Sequence, residues 1–395
     1  MNDTDSDAAD LQGDLAPLDP FGPTRAAGGY LGTFMGEDIP VITTWRALRQ
    51  AAQDWSRFSN DAPGRVPIPA EDDIRSLRQL PIETDPPKHG AYKDLVKGWF
   101  RRPADHPPTR DRIAAVVDKL MSATVGPVAV VDKVALPIQS FALAALLDLP
   151  DTEAQSWIAW GTHAFRSAGK NDPARADALM AMLERHVDRA MTSGGTDFFG
   201  HLASARLEGR ALTRDEMLGY AHVTFAGGRD TVINCIASAL AHLAETPADL
   251  VRLAHEPALI PRAVEEIVRH TSPLSHIGRI CTGPDIVAGH ARDTGSRIAL
   301  CFAAASHDPQ IFDNPGHLQI DRNPNPHVSF GSGDHNCLGS THARAVLRSL
   351  LSWVAEKVDR IEPVDIRPGV RSVGGMARRH GYDRLTVIVH RKSVP

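Results

Sequence analysis

The sequence has no apolar run approaching the roughly 18 residues that a membrane-crossing helix needs, so no membrane partner is expected. It is poor in cysteine, with four in 395 residues. Cys235, Cys281, Cys301 and Cys337 lie far apart and form no Cys-x-x-Cys pair, which argues against zinc, an iron–sulfur cluster or a secreted disulfide framework. A reducing cytoplasm is the expected compartment. There is no basic excess either. Lys+Arg 43 against Asp+Glu 48 give a net charge of -5, too little positive charge to hold a nucleic acid. No Gly-rich strand-to-helix turn of the dinucleotide type occurs, so a fused flavin or nicotinamide reductase is not expected. The start shows no charged-then-apolar leader. It carries Asp3, Asp5, Asp7, Asp10, Asp14 and Asp19 with no Lys or Arg before Arg25, and residues 1–24 read as a disordered acidic tail.

What remains is an ordinary globular composition, 42% hydrophobic and 23% charged, able to bury a large core. Helical periodicity dominates: TTWRALRQAAQDWSRF, RDRIAAVVDKLMSA, LPIQSFALAALL, DTEAQSWIAWGTHAF and ARADALMAMLERHVDRAM space their apolar residues by three and four. Strand signals are short, around 29–43, around 279–301, and in DRLTVIVH near the end. The chain is therefore expected to be mainly α (α+β), a large helical body with small β-sheets along one side, over residues 25–395 as a single domain.

Two stretches break local rules. Thr213 and Glu216 form a capping-box pattern at the start of a helix expected to run to about Glu245. In its middle sits FAGGRDT, whose adjacent glycines cost about 1 kcal/mol each relative to alanine. Either two helices pack closely there, or a kink opens the backbone ladder for a ligand, with Asp230 and Thr231 beside it. Further on, FGSGDHNCLG carries a lone cysteine in a glycine-rich loop that empties into a helix beginning THARAVLRSLL. Taken alone, Cys337 could be a buried apolar residue or a nucleophile. The other three cysteines sit in apolar contexts and read as core.

Three segments together resemble the cytochrome P-450 family of haem-thiolate monooxygenases, soluble bacterial type. FGSGDHNCLG is similar to the family's haem-binding signature at every fixed position, AGGRDT to its oxygen-binding kink with an acid–alcohol pair, and EEIVRH to its Glu-x-x-Arg. The resemblance implies the cytochrome P-450 fold, with haem b between the long kinked helix and the cysteine-loop helix. It makes Cys337 the metal ligand, a thiolate whose electron push favours O–O cleavage. Phe330, Gly331, Gly333 and Gly339 would shape the sulfur's surroundings. His335, Arg279, His89 and Lys93 would meet the propionates, with His327 assisting; many relatives have arginine where this chain has Lys93. Glu266 and Arg269 form a structural pair, with Arg322 as third member. Gly227, Gly228, Asp230 and Thr231 are the catalytic group. Asn336 and His342 depart from the family pattern, His342 standing where relatives carry an apolar residue.

The implied reaction is insertion of one atom of dioxygen into a small, mostly apolar organic substrate, by hydroxylation or oxidative dealkylation. Electrons would come from a separate acidic ferredoxin and its reductase, docking on Lys88, Lys93, Lys97, Arg101, Arg102, Arg344 and Arg348 of a monomer. The substrate pocket is expected from 60–84, from Val223, Thr224 and Ala226, from Leu274, Ser275, His276 and Ile277, and from Gly374–Met376; Arg65, Arg75 and Arg78 are candidates for holding a carboxylate. Three competing readings stand beside this one. They are a peroxide-driven haem-thiolate oxygenase, a non-catalytic haem sensor, and a haem-free cysteine hydrolase.

Overall fold

The computed structural model describes residues 16–163, 166–167 and 170–393. Its helical body is built mainly from α1 (Lys88–Asp105), α2 (Leu136–Leu147), α3 (Arg214–Gly228), α4 (Asp230–Glu245), α5 (Ile260–Thr271) and α6 (Ser340–Lys357), with further helices at Pro107–Ser122 and Pro173–Ser193. The strands that matter are β1 (Gly29–Phe34), β2 (Glu37–Ile42), β3 (Phe58–Ser59), β4 (Pro127–Ala129), β5 (His276–Cys281), β6 (Arg297–Cys301), β7 (Val358–Val373) and β8 (Met376–Arg391). One sheet runs in the order β1-β2-β6-β5-β3, antiparallel except for the β2–β6 pair, and a second runs β7-β8-β4. This is the helical body with small sheets that the periodicity predicts.

LPIQSFALAALL forms α2 over its whole length because it is apolar on every side, and all but two of its residues are buried. The largest core cluster packs α4, α5 and α6 around residues such as Ile236, Ile267 and Leu347. α3 opens with the expected capping box: Glu216 N–H donates to Thr213 Oγ1 at 3.2 Å, and Thr213 N–H to Glu216 Oε2 at 2.7 Å. The helix expected to continue to Glu245 is instead two helices, separated at Arg229 (φ -106, ψ -75) immediately after the glycine pair. The helix expected over DTEAQSWIAWGTHAF stops at Ala159, with Gly161 at φ +76 just beyond; Ala164 and Phe165 lie outside the described residues.

The acidic tail needs correction. Residues 1–15 lie outside the described residues, but the rest of the expected tail is packed on the body. Phe21 is 1% exposed, Gly22–Ala26 is a short helix, and Arg25 Nη2 donates to Asp19 Oδ1 and to Ala304 C=O, each at 2.7 Å. Phe21 sits in a cluster with Phe34, Ile39 and Val41, against which Met376 packs.

Candidate active site

A cavity of about 280 Å³ opens between the α3–α4 break and the cysteine loop, and its walls include Gly227, Thr231, Leu274, Arg279, His335 and Cys337. On the loop side, Gly331 (φ +80) and Gly333 (φ +74) take backbone conformations that side chains resist. A Cβ at Gly333 would also come within 3.0 Å of Gln53 and 3.3 Å of the Ala52 carbonyl. Cys337 N–H donates to Phe330 C=O at 2.8 Å, and the Arg344 guanidinium lies 4.5 Å from the Phe330 ring. Cys337 is exposed, and it lines this cavity. Burial pushes its thiol pKa up, opposed by the Gly339 and Ser340 amides and the charges of Arg344 and Lys93. A metal cation at the sulfur would offset that rise and hold it as a thiolate.

At the edge of the cavity four basic groups crowd together, His335 from the cysteine loop with His89, Lys93 and Arg279, near the carboxylates of Asp85 and Asp334. The His89 and His335 rings are 4.1 Å apart, and both ring nitrogens of His335 are buried without a partner. Burial, then Arg279, His89 and Lys93, pull the His335 pKa down to about 2; burial and Lys93 pull His89 down to about 4. Arg279 is buried, its pKa lowered by that burial to about 10; Nη1 donates to Gly278 C=O at 2.8 Å, and it has no ion-pair partner among the described residues. Such a cluster suits a ligand that brings two carboxylates, as the haem propionates do. Lys93 reaches the cysteine loop itself, donating to the carbonyl of Asp334 and, at 3.4 Å, to that of Asn336. Lysine here contacts the loop as a single charged donor, with no forked geometry required.

On the far wall, Thr231 Oγ1 donates to Gly227 C=O at 2.9 Å. Asp230 turns away from the cavity. Its Oδ2 takes a hydrogen bond from His163 Nδ1, while Arg371 Nη2 meets His163 Nε2 at 3.3 Å. A guanidinium can only donate, so Nε2 accepts and Nδ1 carries the proton toward Asp230. His163 and Arg371 were not foreseen. They come from a loop and a strand far along the chain, with no local motif to announce them.

The Glu266–Arg269 pair is fully buried, each side chain 0% exposed, with Nε–Oε2 at 2.7 Å and Nη2–Oε1 at 2.8 Å. Arg322 joins as expected, Nε to Glu266 Oε2 at 3.0 Å, and the Gln319 amide and Asn325 Nδ2 fill the remaining lone pairs. Arg269 also donates to the carbonyls of Ser306 and Pro315 at 2.9 Å each.

Several expected site residues do not reach the cavity. His327 pairs with Glu265 at 3.2 Å, a carboxylate that Arg344 also holds at 2.7 Å. His276 is buried between the rings of Phe21 and Phe34, with centroids 5.9 and 5.6 Å away. Ser275 accepts from the buried Arg378 at 2.7 Å, and Met376 packs on the N-terminal cluster. Val223, Thr224, Ala226, Leu274 and Ile277 do line the cavity, joined by Leu80, Pro81 and Ile82 from the 60–84 segment. None of the three arginines in that segment is left for a substrate carboxylate. Arg75 is buried between Glu71 (2.7 Å) and Glu83 (2.5 Å), Arg65 pairs with Glu37 at 3.2 Å, and Arg78 pairs with Asp61.

The basic cluster is also more neutral than its sequence suggests. Lys97 pairs with Asp94, Arg101 with Asp105, and Arg102 with Asp148. Lys88 and Arg348 have no ion pair among the described residues.

A cysteine thiol facing a broken helix across a cavity, with a cluster of bases at its edge, fits a haem-thiolate site. The family model described as Cytochrome P-450 matches residues 156–359, and the chain belongs to the cytochrome P-450 family of monooxygenases. The chain is 28% identical over 343 residues to the cytochrome P-450 monooxygenase PikC of Streptomyces venezuelae, covering 85% of this chain and 81% of that protein. It is 26% identical to the vitamin D3 dihydroxylase of Streptomyces griseolus, covering 86% of each. Among solved structures, a carbohydrate active P-450 is 38% identical with a TM-score of 0.92, covering 95% of this chain and 99% of that one. Among the described residues no helix is long and apolar enough to cross a membrane.

Proposed function

We propose that the chain from residue 16 onward forms one catalytic domain that binds haem b and inserts one oxygen atom into a small, mostly apolar organic molecule, working as a monomer in the cytoplasm. The observation that carries this reading is the Cys337 sulfur opening into a cavity whose opposite wall is the Gly227–Thr231 break. Haem held by Cys337 supplies the reductive activation of dioxygen. Arg279, His335, His89 and Lys93 hold its carboxylates. Phe330 and Gly331 shape the loop that covers the sulfur, and Gly339 and Ser340 give it backbone amides. The apolar side chains of Val223, Ala226, Leu274 and Ile277 exclude water and press the substrate toward the cysteine side.

Asp230 and Thr231 manage protons. Thr231, held by the Gly227 carbonyl, stands at the cavity wall, and Asp230 precedes it at the break, its carboxylate oriented by the hydrogen bond from His163 Nδ1. Asp230→Asn keeps the shape and the amide can still be hydrogen-bonded, but it cannot pass a proton. Turnover should fall about 10²-fold with an unaltered carbon monoxide spectrum; a variant with wild-type turnover would remove Asp230 from the proton route.

Electrons come from a ferredoxin-type protein and its reductase. The acid–alcohol pair favours this route over a peroxide-driven one. A second reading of the substrate rests on the 38% identical neighbour, a carbohydrate active P-450: the substrate is then a sugar derivative that presents an apolar group to the cavity. Titrating small apolar compounds and substituted sugars against the haem spin-state band separates the two. A productive binder should turn over with ferredoxin, reductase and NADPH and at least tenfold less with peroxide alone, a gap of about 1.4 kcal/mol in barrier. Equal or faster peroxide turnover would overturn the electron route.

A further inference from the structure

The α3–α4 break leaves backbone carbonyls that a continuous helix would pair with its own amides. Two of them are taken by side chains. Gly227 C=O accepts from Thr231 Oγ1, as above, and Gly228 C=O accepts from Gln139 Nε2 on α2. The same amide nitrogen meets His342 Nε2, on α6 five residues after the cysteine, at 3.1 Å. Gln139 is 0% exposed and His342 is 3% exposed, so neither bond competes with bulk water.

The donors and acceptors leave one arrangement. A carbonyl cannot donate, so the nitrogen of the Gln139 amide, and not its oxygen, faces Gly228. That nitrogen has two N–H groups and nothing to accept with, so the second N–H goes to His342. His342 Nε2 is therefore the acceptor and its proton sits on Nδ1. His342 Nδ1 and Gln139 Oε1 are both buried without a partner, and His342 lines the cavity. Leaving two buried polar atoms unpaired is costly, so an apolar residue at 342 would be the cheaper choice for packing alone.

We propose that Gln139 and His342 are a positioning pair that sets the Gly228 carbonyl on the oxygen side of the cavity and ties it to the helix leading away from Cys337. Gln139 alone could rotate its amide out of reach of Gly228. With His342 accepting the second N–H, rotation breaks two buried hydrogen bonds at once. The pair thus joins the wall carrying Thr231 to the wall carrying the sulfur by a route that does not pass through the cavity. This inference rests on the haem-thiolate reading of the site.

The test uses the full-length holoprotein, reduced with dithionite, as wild type, Gln139→Leu, His342→Leu and His342→Gln. All four should show the thiolate type of carbon monoxide Soret band. Gln139→Leu and His342→Leu should shift the bound carbon monoxide stretching band. They should also speed reoxidation on mixing with dioxygen roughly threefold to tenfold, the worth of a net hydrogen bond or two. His342→Gln still offers an acceptor oxygen to Gln139 and should return both readouts toward wild type, which a loss of packing would not allow. In the wild-type carbon monoxide complex, nitrogen-15 spectra should give His342 a single Nδ1–H tautomer. Wild-type stretching bands and reoxidation rates in both leucine variants would overturn the pairing, as would an Nε2–H tautomer at His342. A wild-type protein without the thiolate Soret band would instead bring down the proposed function, and this inference with it.

Discussion

Cys337→Ser should abolish the red-displaced Soret band that the reduced, carbon monoxide-treated wild type displays, and turnover should fall to background. The cause is chemical. A thiol titrates near neutrality and gives up its proton to a metal, whereas a serine hydroxyl holds its proton far more tightly and cannot supply the same electron push. At Cys337 burial raises the thiol pKa against the pull of two amides and two nearby charges, and a bound metal would favour the anion. The variant should still fold, because Gly331, Gly333 and the Phe330 carbonyl shape the loop without help from the sulfur. Spectra of the reduced complex decide the matter. If the serine variant keeps the wild-type band, the ligand is another residue and the site has been misassigned.

Arg269→Ala should be the most damaging change to folding outside the cavity. It strips a fully buried carboxylate of its bidentate partner and leaves the carbonyls of Ser306 and Pro315 without a donor. Removing one member of a buried pair costs about 3–5 kcal/mol, against a total stability on the order of 5–15 kcal/mol. Arg322 still reaches Glu266 and moderates the loss, which places the expected value at about 4 kcal/mol. Arg269→Lys keeps the charge without the fork and should fall between the two. Urea unfolding of the holoproteins, with haem content measured alongside, gives the number; an alanine variant within 1 kcal/mol of wild type would mean that the pair does not hold the core.

The motifs that sequence reasoning recovered are those whose parts are neighbours along the chain. FGSGDHNCLG, AGGRDT and EEIVRH each place their groups within one loop or helical turn, so spacing alone reveals them. Gln139, His163 and Arg371 reach the same site from separate elements, and no spacing rule connects them. β7 was missed for a different reason. VDRIEPVDIRPGVRSV has two prolines and scattered charges, tolerable because it is the edge strand of its sheet and pairs only with β8 through repeated register shifts. The misplacements of His276 and Met376 share one origin with the misread tail. Phe21, from the segment expected to be disordered, packs with Phe34 over that face and closes it from the cavity.

The buried triad of Arg75 with Glu71 and Glu83 has a practical implication for anyone wishing to retarget the enzyme. Glu83 also receives the amides of Gly64 and Gln79, so both ends of the segment that supplies Leu80, Pro81 and Ile82 to the cavity wall are stapled to one carboxylate. Loop grafting or length changes between 64 and 83 would sever that staple before they altered selectivity. Side-chain exchanges at Leu80 and Ile82, which face inward from the stapled frame, offer the gentler handle on which molecules are accepted.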